Sequence, residues 1–139
     1  MTDLTDHGPH PYVLDIGATT LANPNFRATL WTGSHLQLTV MCIPAGGDIG
    51  LEVHKTHDQF LRIEAGNGRV EMGPAKGEVT FRADVEAESG VFVPAGTWHN
   101  VINTGADDLK LYTLYGPADH EPGTLHKTQH DAQMDPHEH

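Results

Sequence analysis

Cysteine is all but missing from this chain: Cys42 stands alone among 139 residues, so no disulfide can form within one molecule. Basic residues are scarce too. Eight Lys and Arg face nineteen Asp and Glu, for a formal charge of −11. Phosphate backbones and anionic membrane surfaces need clustered cations, which argues against nucleic acid or a lipid surface as partner. No apolar run approaches the roughly 20 residues of a spanning helix. The opening MTDLTDHGPHPY is polar and acidic, without the apolar centre of a secretory leader. Together these absences predict a cytoplasmic protein.

Long helical patterns are also lacking, and what is present is punctuation. Fifteen Gly and nine Pro are scattered singly, which favours many short strands joined by turns. Strands are expected over Val13–Thr19, Ala28–Thr32, Leu36–Ile43, Ile49–His54, Gln59–Glu64, Arg69–Gly73, Val79–Val85, Val91–Val93, His99–Asn103 and Leu109–Tyr115. Regular short strands with turn signals between them predict an all-β fold, a sandwich or a closed barrel. Residues 1–11 read as an N-terminal arm, 12–118 as the barrel, and 119–139 as a tail, ordered in part to about residue 128. The last stretch, DAQMDPHEH, reads as solvated and mobile. The segment Leu36–Ile43 is apolar on both faces apart from Gln37 and Thr39, so its outer face needs cover. A second subunit, giving a homodimer, or the N-terminal arm could supply that cover.

Two clusters carry chemistry. In Gly50-Leu51-Glu52-Val53-His54, residues two apart project from one face of a strand, so Glu52 and His54 point together. A buried Glu beside a buried His is costly unless paired or bound to metal. A short turn then leads to Gln59, which a hairpin can bring beside the pair. The second cluster is Pro94-Ala95-Gly96-Thr97-Trp98-His99, in which Pro and Gly fix a tight turn and His99 opens the next strand.

These clusters resemble the two motifs of the cupin superfamily. The first motif is Gly, five residues, His-x-His, three or four residues, Glu, six residues, Gly; here it reads Gly46, five residues, Glu52-Val53-His54, four residues, Gln59, six residues, Gly66. The second, Pro-x-Gly, two residues, His, three residues, Asn, is matched by Pro94, Gly96, His99 and Asn103. The resemblance implies a single jelly-roll β-barrel. It also implies one divalent metal ion held by Glu52, His54, Gln59 and His99. This chain has Glu52 where the family pattern has His, and Gln59 where it has Glu, so the carboxylate has changed position and Gln59 is a weak fourth ligand. Two His and one carboxylate resemble the ligand set of non-haem Fe(II) sites, and Mn, Ni, Co or Zn suit it as well.

Other polar residues are assigned more modest parts. His57 and Asp58 read as turn residues without a metal role. Arg62 reads as a surface charge beside Glu64. Gln37 and Met41 share a strand face and are expected to line the cavity as substrate contacts. His126 or His120 could fold over the barrel mouth as a lid or proton shuttle, and His126 is the one expected to serve catalysis alongside Glu52 as base. The expected function is metal-dependent chemistry on a small polar molecule such as a sugar, sugar acid or hydroxy-carbonyl, by isomerase, lyase or dioxygenase steps. The alternative is a non-catalytic module that binds metal or a small ligand.

Overall fold

A computed structural model describes residues 2–138. The chain folds into two antiparallel sheets built from β1 (Arg27–Thr32), β2 (Gln37–Ile43), β3 (Asp58–Ala65), β4 (Gly68–Gly73), β5 (Phe81–Val85), β6 (Gly90–Val93), β7 (Trp98–Asn103), β8 (Leu109–Gly116) and β9 (Leu125–His126). One sheet has the order β6-β3-β8-β2-β1-β9 and the other β5-β4-β7. The all-β jelly-roll barrel expected from the sequence is the observed fold. Among the described residues, no helix is long and apolar enough to cross a membrane.

Strand periodicity sorts the side chains of the large sheet. On β3 and β8 alternate residues are buried. The register aligns Gln59, Tyr115 and Gln37 in one inward row, then Leu61, Thr113, Thr39 and Thr29, then Ile63, Leu111, Met41 and Arg27. The barrel interior therefore grades from a polar end into an apolar core of Ile63, Leu111, Leu61 and Met41. Arg27 is the one charge in the apolar row.

The outer face of β2 is covered by the chain itself. Leu4, Leu14 and Ile16 pack against a cluster of Ala28, Leu30, Leu38 and Val40. That face no longer calls for a second subunit.

Three segments differ from the sequence expectation. Val13–Thr19 is not a strand. Its second half enters α1 (Ile16–Ala22), because Asp15 accepts a hydrogen bond from the Ala18 N–H at 3.0 Å and caps the helix. Ile49–His54 is not a continuous strand either. Gly50 takes a positive φ of 91°, which breaks the ladder into two isolated bridges, Asp48 to Ile102 and Glu52 to His99. The C-terminal stretch expected to be mobile holds regular structure through residue 138, with His139 outside the described residues. It forms α2 (Gln129–Met134), opened by a capping box between Thr128 and Asp131, then a 3-10 turn at Pro136–Glu138. Ala132 is buried in the main core.

Candidate metal centre

The two motifs meet backbone to backbone. Glu52 N–H donates to His99 O at 3.0 Å, and His99 N–H returns a bond to Glu52 O at 2.9 Å. Gly96, with a φ of 83°, turns the second motif so that its N–H donates to His54 O at 2.8 Å. These bonds set the side chains of Glu52, His54 and His99 into one group, with their ligand atoms within 4.8 Å of one another. Glu52 Oε1 lies 3.3 Å from His54 Nε2 and 3.4 Å from His99 Nε2.

Both imidazoles are fixed from behind. His99 Nδ1 lies 3.0 Å from the Thr97 carbonyl, which can only accept, so Nδ1 carries the proton. His54 Nδ1 lies 3.0 Å from Asp119 Oδ1, and the same logic applies. Each ring thus presents Nε2 towards Glu52, and in the neutral ring that nitrogen holds a lone pair. Neither Nε2 has a hydrogen-bond partner although both atoms are buried; the Glu52 oxygen is near enough for charge attraction but misaligned for a hydrogen bond. Two lone pairs facing a carboxylate need a proton or a cation between them, and this geometry fits a divalent metal.

Electrostatics agree. Burial would raise the Glu52 carboxyl, but the His54 and His99 imidazoles hold it far below the usual carboxylate range. Burial would lower His54, but its bond to Asp119, then the adjacent Glu52 carboxylate, lift its pKa to about 9. Burial likewise acts to raise Asp119, and its bond to His54 reverses the direction and keeps it ionised. Without a metal, the pair is therefore an imidazolium between two carboxylates.

Gln59 sits one strand away, in register with Tyr115, whose ring packs edge-on against His54 at 5.5 Å. Its Nε2 donates to Thr113 Oγ1 at 3.0 Å, which leaves Oε1 buried and without a partner. A free amide oxygen is the correct atom for a weak ligand.

The remaining expected site residues have other surroundings. Gln37 is saturated: its Nε2 donates to His120 O at 2.8 Å and to Thr32 Oγ1, while its Oε1 accepts from the Asp119 and His120 N–H groups. It therefore anchors the loop that delivers Asp119. Met41 is fully buried in the main core beside Arg27. His126 has its ring nitrogens engaged by Arg27 Nη1 at 3.4 Å and Asp135 Oδ2 at 2.8 Å, outside the Glu52 group. His57 is nearer the site than its spacing predicts. It lies outside any regular strand here, so strand alternation does not separate it from His54; its ring sits 4.0 Å from Asp119 and contacts Ala118 O at 2.9 Å. Arg62 pairs with Glu64 at 3.2 Å, as expected of a surface charge.

Two residues escaped sequence reasoning. Asp119 lies in a Pro- and Gly-rich loop that reads only as a turn. Tyr115 is the last residue but one of β8 and is 1% exposed. Its hydroxyl lies 3.2 Å from His120 Nε2, and His120 Nδ1 lies 2.7 Å from Glu138 Oε1. Burial first, then the Glu52 charge, raise the Tyr115 pKa above its ordinary value, so the phenol stays protonated.

Known proteins bear on this arrangement. A family model described as Cupin domain matches residues 39–115. An uncharacterized Bacillus subtilis (strain 168) protein, YrkC, is 53% identical over 129 residues, covering 93% of this chain and 69% of its own. An uncharacterized Acanthamoeba polyphaga mimivirus protein, L612, is 41% identical over 115 residues, covering 82% of this chain and 70% of its own. The crystal structure of the Bacillus halodurans protein BH2720 superposes with a TM-score of 0.93 at 50% identity, covering 94% of this chain and 99% of that one.

Proposed function

This chain belongs to the cupin family, and from that premise we propose that it is a metal-dependent enzyme acting on a small polar organic molecule. The observation that carries this reading is the pair of buried, unpartnered Nε2 atoms of His54 and His99, both facing Glu52 Oε1. Glu52, His54 and His99 would hold the ion, with Gln59 Oε1 as a fourth, weaker ligand. Fe, Mn, Ni, Co or Zn in the divalent state would each suit that set. Such an ion supplies Lewis-acid polarisation of a substrate oxygen or redox chemistry, consistent with isomerase, lyase or dioxygenase reactions.

The protein's own groups have defined tasks in this reading. Asp119 and the Thr97 carbonyl hold the two imidazoles in the tautomer that presents Nε2. Tyr115, kept protonated, donates to His120 Nε2, whose Nδ1–H donates to Glu138, and this series of contacts holds the Tyr115 ring against His54. Protein purified without added metal should carry close to one divalent ion per chain by elemental analysis, and a Glu52→Ala/His99→Ala variant should carry none. A wild type that neither retains nor takes up a divalent ion would sink the proposal. A module that only binds its ligand would use the same side chains; a substrate screen that finds tight binding without turnover would favour that reading.

A further inference from the structure

Arg27 occupies an unusual position. It is 5% exposed, in the inward row of Ile63, Leu111 and Met41. A buried guanidinium is expected to pair with a carboxylate. Among the described residues none lies within 4.0 Å of it. Its side chain contacts His126 Nδ1 at 3.4 Å, and its guanidinium carbon Cζ lies over the Phe26 ring, 5.2 Å from the centroid. An arginine has no acceptor, so His126 Nδ1 must accept and His126 Nε2–H must donate to Asp135 Oδ2 at 2.8 Å. The guanidinium is thus held by an imidazole nitrogen rather than by a carboxylate, and its Nε is buried without a partner.

The side chain lines a cleft of about 310 Å³ that Glu52 and Glu138 also line. That volume is at the small end of the roughly 300–1,000 Å³ of small-molecule sites. Both carboxylates have other partners: Glu52 lies between His54 and His99, and Glu138 holds His120. One desolvated cation therefore shares a small cleft with Glu52, one of the candidate metal ligands. The fork of a guanidinium matches a carboxylate in geometry as well as charge.

We propose that Arg27 binds the carboxylate of the substrate, which makes the substrate class small organic acids that carry a hydroxyl or carbonyl oxygen next to the acid group. The carboxylate meets Arg27 while the neighbouring oxygen lies on the Glu52 side of the cleft, where the candidate metal cluster begins. This inference rests on the metal-dependent reading above.

The test is calorimetric titration of metal-loaded and metal-free protein with glycolate and tartrate, with glycolamide and tartramide as neutral counterparts. The acids should bind the wild type more tightly than the amides. Arg27→Gln should weaken acid binding about ten- to hundred-fold, as for a lost charge-assisted hydrogen bond, with amide and metal affinities unchanged. Wild type that binds acid and amide equally, or neither, overturns the proposal, as does an Arg27→Gln protein with wild-type acid affinity. If Arg27→Gln fails to fold, the wild type decides: glycolate must shift the Arg27 Nε–H nitrogen resonance, assigned with Arg27→Lys, and an unmoved resonance overturns the proposal. Failure of the metal reading is read separately, as a wild type without a divalent ion. The Arg27 proposal is then decided by the metal-free titration, where acids must still be preferred and Arg27→Gln must remove the preference.

Discussion

His54 and Asp119 are joined at 3.0 Å, from Nδ1 to Oδ1, by a loop that reaches the site from the far end of the last long strand. The bond fixes which nitrogen of His54 faces Glu52. Asp119→Ala should therefore cost about 10- to 100-fold in metal affinity, the usual effect of losing the carboxylate behind a ligand imidazole. Competition against a chelator of known affinity measures it. An unchanged affinity would show that Asp119 does not orient the ring.

Proton competition should set the pH dependence of metal uptake. With a pKa near 9, His54 is protonated in the metal-free protein at neutral pH. Binding must release that proton. Apparent affinity should rise with pH by up to tenfold per unit and flatten near pH 9. Proton release on binding, compared in two buffers of different ionisation enthalpy, checks the same point.

Metal-free stability should move the opposite way over that range. A folded pKa raised above the ordinary 6.5 means the His54 contribution is complete below pH 6.5 and fades as pH climbs through about 9. Glu52, held low, contributes fully above its ordinary 4.5, and its contribution is lost as pH falls below that. Melting temperature of the metal-free protein should therefore decline from pH 6.5 to 9, and more steeply than that of the loaded protein, where the ion replaces the proton.

Gln59→Glu restores the carboxylate of the family pattern next to an existing one. In the metal-free protein a buried acid without a partner should cost about 1–3 kcal/mol. Added metal should recover that loss, because the new carboxylate is a stronger ligand than an amide oxygen. Denaturant unfolding with and without the ion tests both halves; a variant destabilised equally in both would remove Gln59 from the ligand set.

Two glycines separate backbone strain from collision. A Cβ on Gly96 would meet nothing within 4 Å, so Gly96→Ala should cost only the positive φ, about 1–2 kcal/mol. A Cβ on Gly66 would lie 2.7 Å from the Asp108 carbonyl oxygen, so Gly66→Ala should be the more damaging of the two. Urea unfolding of both variants settles the order.

Local rules made much of this protein legible in its sequence. Strand alternation placed Gln59, Leu61 and Ile63 on one face, and the Pro94–Gly96 turn delivered His99 to the site opposite Glu52. The capping by Asp15 and the Gly50 break are local as well, yet they act through a single hydrogen bond and a single φ, which an apolar–polar pattern does not register. Asp119 behind His54, Tyr115 beside it, and Arg27 against His126, 99 residues apart, were decided by tertiary structure alone. Strand spacing determines which face a side chain takes. Which unpaired charge ends up inside a closed barrel depends on what distant segments bring to meet it.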